Sequence, residues 1–124
     1  MDVRVRDLDP LGHVSNAVFL SYMELARIRY FQRISPDWLE EGHFVVARME
    51  VDYLRPILLG DEVFVGVRTV GIGRPSLRME HLVTANGESA AKGLRVLVWL
   101  EGGRPAPLPE AIRERIRALE GRPL

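Results

Sequence analysis

The chain has no cysteine, a single lysine at Lys92, and no apolar run near the roughly 18 to 20 residues of a membrane-spanning helix. Without cysteine there is no disulfide, no thiol nucleophile and no thiolate metal site. The 17 Lys and Arg balance the 17 Asp and Glu, and no basic block or stripe stands out. That argues against nucleic acid or an anionic membrane as the main partner. The first residues, Met1 to Arg4, lack the basic start and apolar stretch of a signal peptide, so a cytoplasmic location is expected.

What is present is an ordinary globular composition, 47% hydrophobic and 27% charged. At 124 residues, one domain spanning 1–124 is expected. A domain of this size buries one core and has little left for a deep private cavity. A large ligand would then be bound between subunits, which predicts an oligomer.

Val3 to Arg6 alternates apolar and charged residues as a short strand would. After the turn-rich Asp9-Pro10-Leu11-Gly12, Ser15 or Asn16 is placed to cap a helix over about 17–33. That helix carries one apolar stripe of Phe19, Tyr22, Met23, Ala26 and Tyr30, and a second of Ala17, Leu20, Ile28 and Phe31. A helix apolar on most of its circumference belongs inside something. Ser35-Pro36-Asp37 opens a short helical turn closed by Gly42.

The period then switches to two. Val45, Ala47, Met49, Val51 and Tyr53 are expected on one face of a strand, opposite Arg48, Glu50 and Asp52. Val63, Val65 and Val67 alternate until Gly71-Ile72-Gly73 breaks the pattern. Leu77, Met79, His81 and Val83 follow, Asn86-Gly87 reads as a hairpin turn, and the last strand carries Leu94, Val96, Val98 and Leu100. Beyond a Gly/Pro-rich stretch, Ile112, Ile116 and Leu119 mark a terminal helix. Short connections favour antiparallel neighbours, and the economical architecture is α+β: one curved antiparallel sheet wrapped around a long central helix.

Asp9, His13 and Asn16 are the polar residues on the loop entering that helix. A helix start directs free N–H groups and a positive dipole end outward. An acyl carbonyl there would have its oxyanion stabilised, and a nearby carboxylate could attack it or activate water. By local chemistry alone, a turn opener and a helix cap are the commoner uses of these residues.

Their order adds to this. Asp9-Pro10-Leu11-Gly12-His13-Val14-Ser15-Asn16-Ala17, followed by Tyr22-Met23-Glu24-Leu25-Ala26-Arg27, resembles the signature of the 4-hydroxybenzoyl-CoA thioesterase family. Val51-Asp52-Tyr53-Leu54-Arg55-Pro56 with Gly60-Asp61, and Gly73-Arg74-Pro75-Ser76, match its later blocks in order and spacing. The resemblance implies a hot-dog fold, a homodimer or homotetramer, and acyl-CoA thioesters as substrates, with coenzyme A entering as part of the substrate and no separate cofactor or metal. It implies that Asp9 is the catalytic nucleophile or general base and that the backbone N–H of Asn16 polarises the thioester carbonyl. Gly12 would let the backbone approach the ligand, Phe19 and Tyr22 would line the acyl pocket, and Arg74 and Ser76 would contact coenzyme A. Members with a histidine at the Asn16 position, or a tyrosine just upstream of the aspartate, have side chains this sequence lacks. The grouping is also similar to plant acyl-carrier-protein thioesterases. A non-catalytic acyl-CoA-binding module and an enoyl-thioester hydratase are the rivals on the same fold.

Glu24 falls on the second helix stripe, where it is either a catalytic carboxylate or the partner of Arg27 or Arg55. His13 is a base or, more commonly, a hydrogen-bonded loop anchor. His43 and His81 lack clustered carboxylates, so a metal site is not expected. Gly71-Ile72-Gly73-Arg74 resembles a phosphate loop without its Lys-Ser/Thr ending or its helix.

Overall fold

The computed structural model describes residues 3–34 and 43–124. The turn expected at Ser35 to Gly42 lies outside the described residues. Helix α1 spans Asn16–Ile34, strands β1 to β4 span His43–Tyr53, Val63–Ile72, Ser76–Ala85 and Glu88–Glu101, the short β5 is Arg104–Pro105, and helix α2 is Glu110–Glu120. The strands lie in the order β1-β4-β3-β2, every pair antiparallel, with β5 beside β4. This is the expected α+β arrangement, a hot-dog fold with α1 packed on the inner face of the sheet.

Val3 to Arg6 does not form a strand. Val5–Asp7 is instead a turn of 3-10 helix, closed by the Asp7 carboxylate accepting the Arg4 N–H at 2.9 Å. The expected apolar stripe of α1 is buried, while Ala17, Leu20 and Ile28 of the second stripe are exposed. The helix therefore lies on the sheet with one flank open rather than being enclosed.

Two bulges revise the strand faces, since each inserts a residue that shifts alternation by one. In β1, Val46 pairs with Leu97 and Arg48 with the adjacent Val96, leaving Ala47 as the extra residue. Val45 is thereby moved to the outer face opposite Val98, and Phe44 and Val46 join Met49, Val51 and Tyr53 on the inner face. In β2 the extra residue is Val70, so the strand continues past the expected break and returns Ile72 to the core opposite Leu77. On β4, the core face is Ala91, Gly93, Arg95, Leu97 and Trp99, and the stripe Leu94 to Leu100 is the half-buried outer one. Asn86-Gly87, both at positive φ, makes the expected hairpin turn.

The core divides in two. Phe19, Tyr22, Met23, Ile57, Val63 and Val83 pack at one end, and Tyr30, Phe31, Leu77, Trp99, Ile112 and Ile116 at the other. Between them runs a polar belt in which Glu24 receives hydrogen bonds from Arg27 and Arg95, with His81 buried alongside. Gly93 lets the helix sit this close. A Cβ there would meet the Met23 sulfur at 3.0 Å and the Met49 methyl at 3.3 Å. Gly93→Val is expected to destabilise by about 1–3 kcal/mol through overpacking, read as a lowered urea midpoint.

Helix α2 closes one sheet edge. Thr69 N–H donates to Glu120 at 2.7 Å, Arg122 donates to the Thr69 carbonyl, and Arg113 reaches the carbonyls of Gly73 and Arg74, each at 2.8 Å. The opposite edge strand, β1, carries no strand on its outer side among the described residues.

Candidate active site

The loop before α1 is held chiefly by its own backbone and by Asp9. Asp9 N–H donates to the His13 carbonyl at 2.6 Å and Gly12 N–H to the Asp9 carbonyl at 3.0 Å, with Gly12 at φ +82°. The Asp9 Oδ1 accepts the N–H groups of Leu11 (2.9 Å) and His13 (3.0 Å). Its Oδ2 has no hydrogen-bond partner among the described residues. The loop is tied to the segment after β1 by Val14 N–H to the Ile57 carbonyl at 2.8 Å and by a bridge between His13 and Leu58. The turn-forming and chemical readings of Asp9 are thus compatible: one oxygen builds the turn and the other is left over.

The Ser15 carbonyl accepts the Val18 and Phe19 N–H groups, and the first helical N–H groups, of Asn16 and Ala17, have no backbone acceptor among the described residues. This is the expected donor end of a helix. Among the described residues, neither the Ser15 nor the Asn16 side chain makes the expected capping bond. The loop is anchored by the His13 backbone, and its imidazole makes no hydrogen bond among the described residues.

Asp9, His13, Asn16 and Phe19 line one cleft of about 320 Å³, whose far wall is residues 53–56. That volume sits at the lower end of the range for small-molecule sites. Phe19 meets Tyr53 edge-to-face at 5.3 Å, giving the cleft an aromatic wall. Tyr53 and Arg55 belong to a block the sequence singled out without giving either a site role. Arg55 pairs with Glu88, not with Glu24.

The other predicted site residues lie elsewhere. Tyr22 is buried in the core, where desolvation and then the Asp7 charge raise its hydroxyl pKa, and it does not line the cleft. Gly12 shapes the turn without lining the cleft. Both Glu24 oxygens are occupied by Arg27 and Arg95, and Arg95 was not foreseen as a partner. The Arg27 hydrogen bonds, set against desolvation and helped by Arg95, hold Glu24 down to about 2. Arg74 and Ser76 stand at the β2–β3 turn, whereas the end of that hairpin near the Asp9 loop carries Val63 and Ala85. A ten-residue strand separates these ends by about 30 Å, so one chain does not bring Arg74 and Ser76 to Asp9. Among the described residues, no three His, Asp or Glu side chains converge as a metal-binding group. No described helix is long and apolar enough to cross a membrane.

The His81 ring is pushed down to about 4, first by burial and then by the Arg95 charge. Its folded pKa lies below the ordinary 6.5, so the unfolded chain binds the proton more readily. The His81 contribution is therefore full above pH 6.5 and is lost as pH falls toward 4, by at most about 3 kcal/mol. Glu24 adds a loss of the same sign between 4.5 and about 2. Urea midpoints from pH 7 to 4 should fall for the wild type and flatten for His81→Leu; parallel declines would exclude His81 as the cause.

The profile of the thioesterase-like superfamily matches residues 3–116, and the chain belongs to that superfamily. Its fold superposes with a TM-score of 0.95 on a thioesterase of Thermus thermophilus complexed with coenzyme A and Zn, at 95% identity over 100% of this chain and 93% of that one. A predicted thioesterase of Bacillus stearothermophilus gives 0.89 at 32% identity, covering 100% of this chain and 96% of the other. The chloroplastic acyl-acyl carrier protein thioesterase ATL3 of Arabidopsis thaliana is 26% identical over 124 residues, and the match covers 93% of this chain but 65% of that protein.

Proposed function

We propose that this chain is an acyl-CoA thioesterase, hydrolysing a thioester to the free carboxylic acid and coenzyme A. The observation that carries the reading is the cleft that joins a carboxylate oxygen of Asp9 to the N–H of Asn16 at the start of α1, both without a hydrogen-bond partner among the described residues. The thioester carbonyl oxygen points at that N–H, where the helix dipole and the donor stabilise the developing oxyanion. The free Asp9 oxygen either attacks the carbonyl carbon, expelling the thiolate of coenzyme A and leaving a mixed anhydride that water hydrolyses to the free acid, or takes a proton from water that attacks the carbonyl carbon directly and expels the thiolate. Phe19 and Tyr53 flank the acyl group, and His13 lies at the cleft wall as a polar neighbour. The coenzyme A complex of the T. thermophilus relative supports coenzyme A as the carrier. Placement within the 4-hydroxybenzoyl-CoA branch rests on the Asp9-to-Ala17 and Tyr22-to-Arg27 blocks together with the Val51-to-Asp61 and Gly73-to-Ser76 blocks.

The active unit in this reading is a homodimer paired antiparallel along β1, whose outer edge is open. Pairing there also covers the exposed flank of α1 at Leu20 and Ile28. Arg74 and Ser76, remote from Asp9 in one chain, then serve coenzyme A bound by another copy. Incubating the protein with an acyl-CoA panel and a thiol-detecting reagent should release thiol catalytically. Tight binding without release would favour the acyl-CoA-binding module instead. The ATL3 likeness favours one comparison, the same acyl group on coenzyme A and on an acyl carrier protein, and coenzyme A is expected to give the higher kcat/KM.

A further inference from the structure

The cleft at the Asp9 loop contains a charge that the proposed hydrolysis leaves unused. Among the described residues that line it, Arg55 is the only Lys or Arg. It stands on the wall formed by residues 53–56, across from Asp9, His13 and Asn16.

The Arg55 backbone is tied down while its side chain is not. The N–H groups of Leu54 and Arg55 both donate to the Ala90 carbonyl, at 2.8 and 3.2 Å. Pro56 follows, its φ locked by the ring, and the Ile57 carbonyl accepts the Val14 N–H of the Asp9 loop. The Arg55 side chain, by contrast, is 45% exposed and pairs with Glu88, 63% exposed at the start of β4. Water screens an ion pair this open, so little holds Arg55 to Glu88. The Glu88 carboxylate, if released, is already largely hydrated.

Cleavage changes the charge in the cleft. The thioester group is neutral, and the carboxylic acid formed from it is ionised at neutral pH. The product carboxylate then lies beside that of Asp9, and two anions in one small cleft repel each other. An arginine fork matches a carboxylate with two parallel hydrogen bonds.

We propose that Arg55 is the carboxylate-binding residue of this cleft, held by Glu88 before hydrolysis and transferred to the carboxylate of the acid product after it. Glu88 and the product compete for one guanidinium. The strength of the Arg55–Glu88 pair therefore sets how tightly the acid is held, and how soon the cleft is cleared for the next thioester. Phe19 and Tyr53, edge-to-face at 5.3 Å, give a flat acid an aromatic wall to lie against while its carboxylate meets Arg55.

Hydrolysis supplies the carboxylate, so this role rests on the thioesterase reading, but its test needs no turnover. The two therefore fail separately: thiol release tests the reading, and binding of an acid tests Arg55. The measurement is titration calorimetry of the full chain with benzoate, and with benzamide as its uncharged counterpart. Arg55→Gln should weaken benzoate binding about tenfold and leave benzamide unchanged. Arg55→Lys keeps the charge without the fork and should fall between Arg55→Gln and the wild type. Glu88→Gln should tighten benzoate about threefold, because the competitor for Arg55 is gone. Both Arg55→Gln and Glu88→Gln delete the same ion pair, so a purely structural role would move them in one direction. Circular dichroism confirms folding of each variant. The proposal is overturned if the wild type binds benzoate no better than Arg55→Gln does, if Arg55→Gln weakens benzamide equally, or if Glu88→Gln weakens benzoate.

Discussion

Asp9→Asn should lower kcat by about 10²- to 10⁴-fold, the usual contribution of a positioned acid, base or nucleophile. Asparagine keeps the Oδ1 that accepts the Leu11 and His13 N–H groups, so the loop should hold its shape. It replaces the free oxygen by an amide that can neither attack nor take up a proton. Urea unfolding should therefore be nearly unchanged while turnover collapses. Asp9→Ala should lose both, because the loop then has two backbone donors without their acceptor. Near-normal turnover by Asp9→Asn would remove Asp9 from the chemistry. Hydrolysis in ¹⁸O-water bears on the remaining roles: label in the Asp9 carboxylate after repeated cycles requires an anhydride that water opens at the Asp9 carbonyl, whereas general-base action leaves that carboxylate unlabelled.

Glu24→Ala should cost about 3 kcal/mol of stability, the low end for breaking a buried ion pair. The cost comes from Arg95, whose side chain is 5% exposed and would keep a charge without its counter-ion. Glu24 itself is 42% exposed, which is why the low end applies. Combining Glu24→Leu with Arg95→Met removes both charges and should cost less than Glu24→Ala alone. Thermal unfolding of the two variants beside the wild type checks this, and a double variant weaker than the single one would show that the pair itself supplies net stability. The same experiment bears on catalysis. Activity retained in a folded Glu24→Gln variant fits a structural role, and loss of kcat with normal stability would point to Glu24 as a second catalytic carboxylate.

Much of the fold was legible because periodicity reports burial wherever one face of an element is wet. The buried stripe of α1, the β3 face from Leu77 to Val83, the Asn86-Gly87 turn and the α2 stripe all follow from that rule. The misplacements have physical causes. Bulges at Ala47 and Val70 add one residue each, and alternation carries no mark of them before the partner strand is known. Strand β4 is apolar on both faces, so alternation could not identify its core side, and Arg95 on that side escaped notice. Val3 to Arg6 was too short for its pattern to outweigh the local Arg4–Asp7 closure.

The sequence by itself determined the superfamily, the helix-and-sheet order, and the turn that sets Asp9 just ahead of a helix start. These depend on residues close in the chain, whose backbone preferences and hydrogen bonds act locally. Only the tertiary structure decided which polar residues share a cleft. Residues 53–56 face Asp9 because β1 ends beside the loop, and Arg74 and Ser76 stand about 30 Å away because a full strand intervenes. It also decided that Glu24 is claimed by Arg95 from 71 residues away, a pairing set by how α1 lies across the sheet. Long-range pairing follows from register and packing, and those are properties of the assembled sheet rather than of any segment.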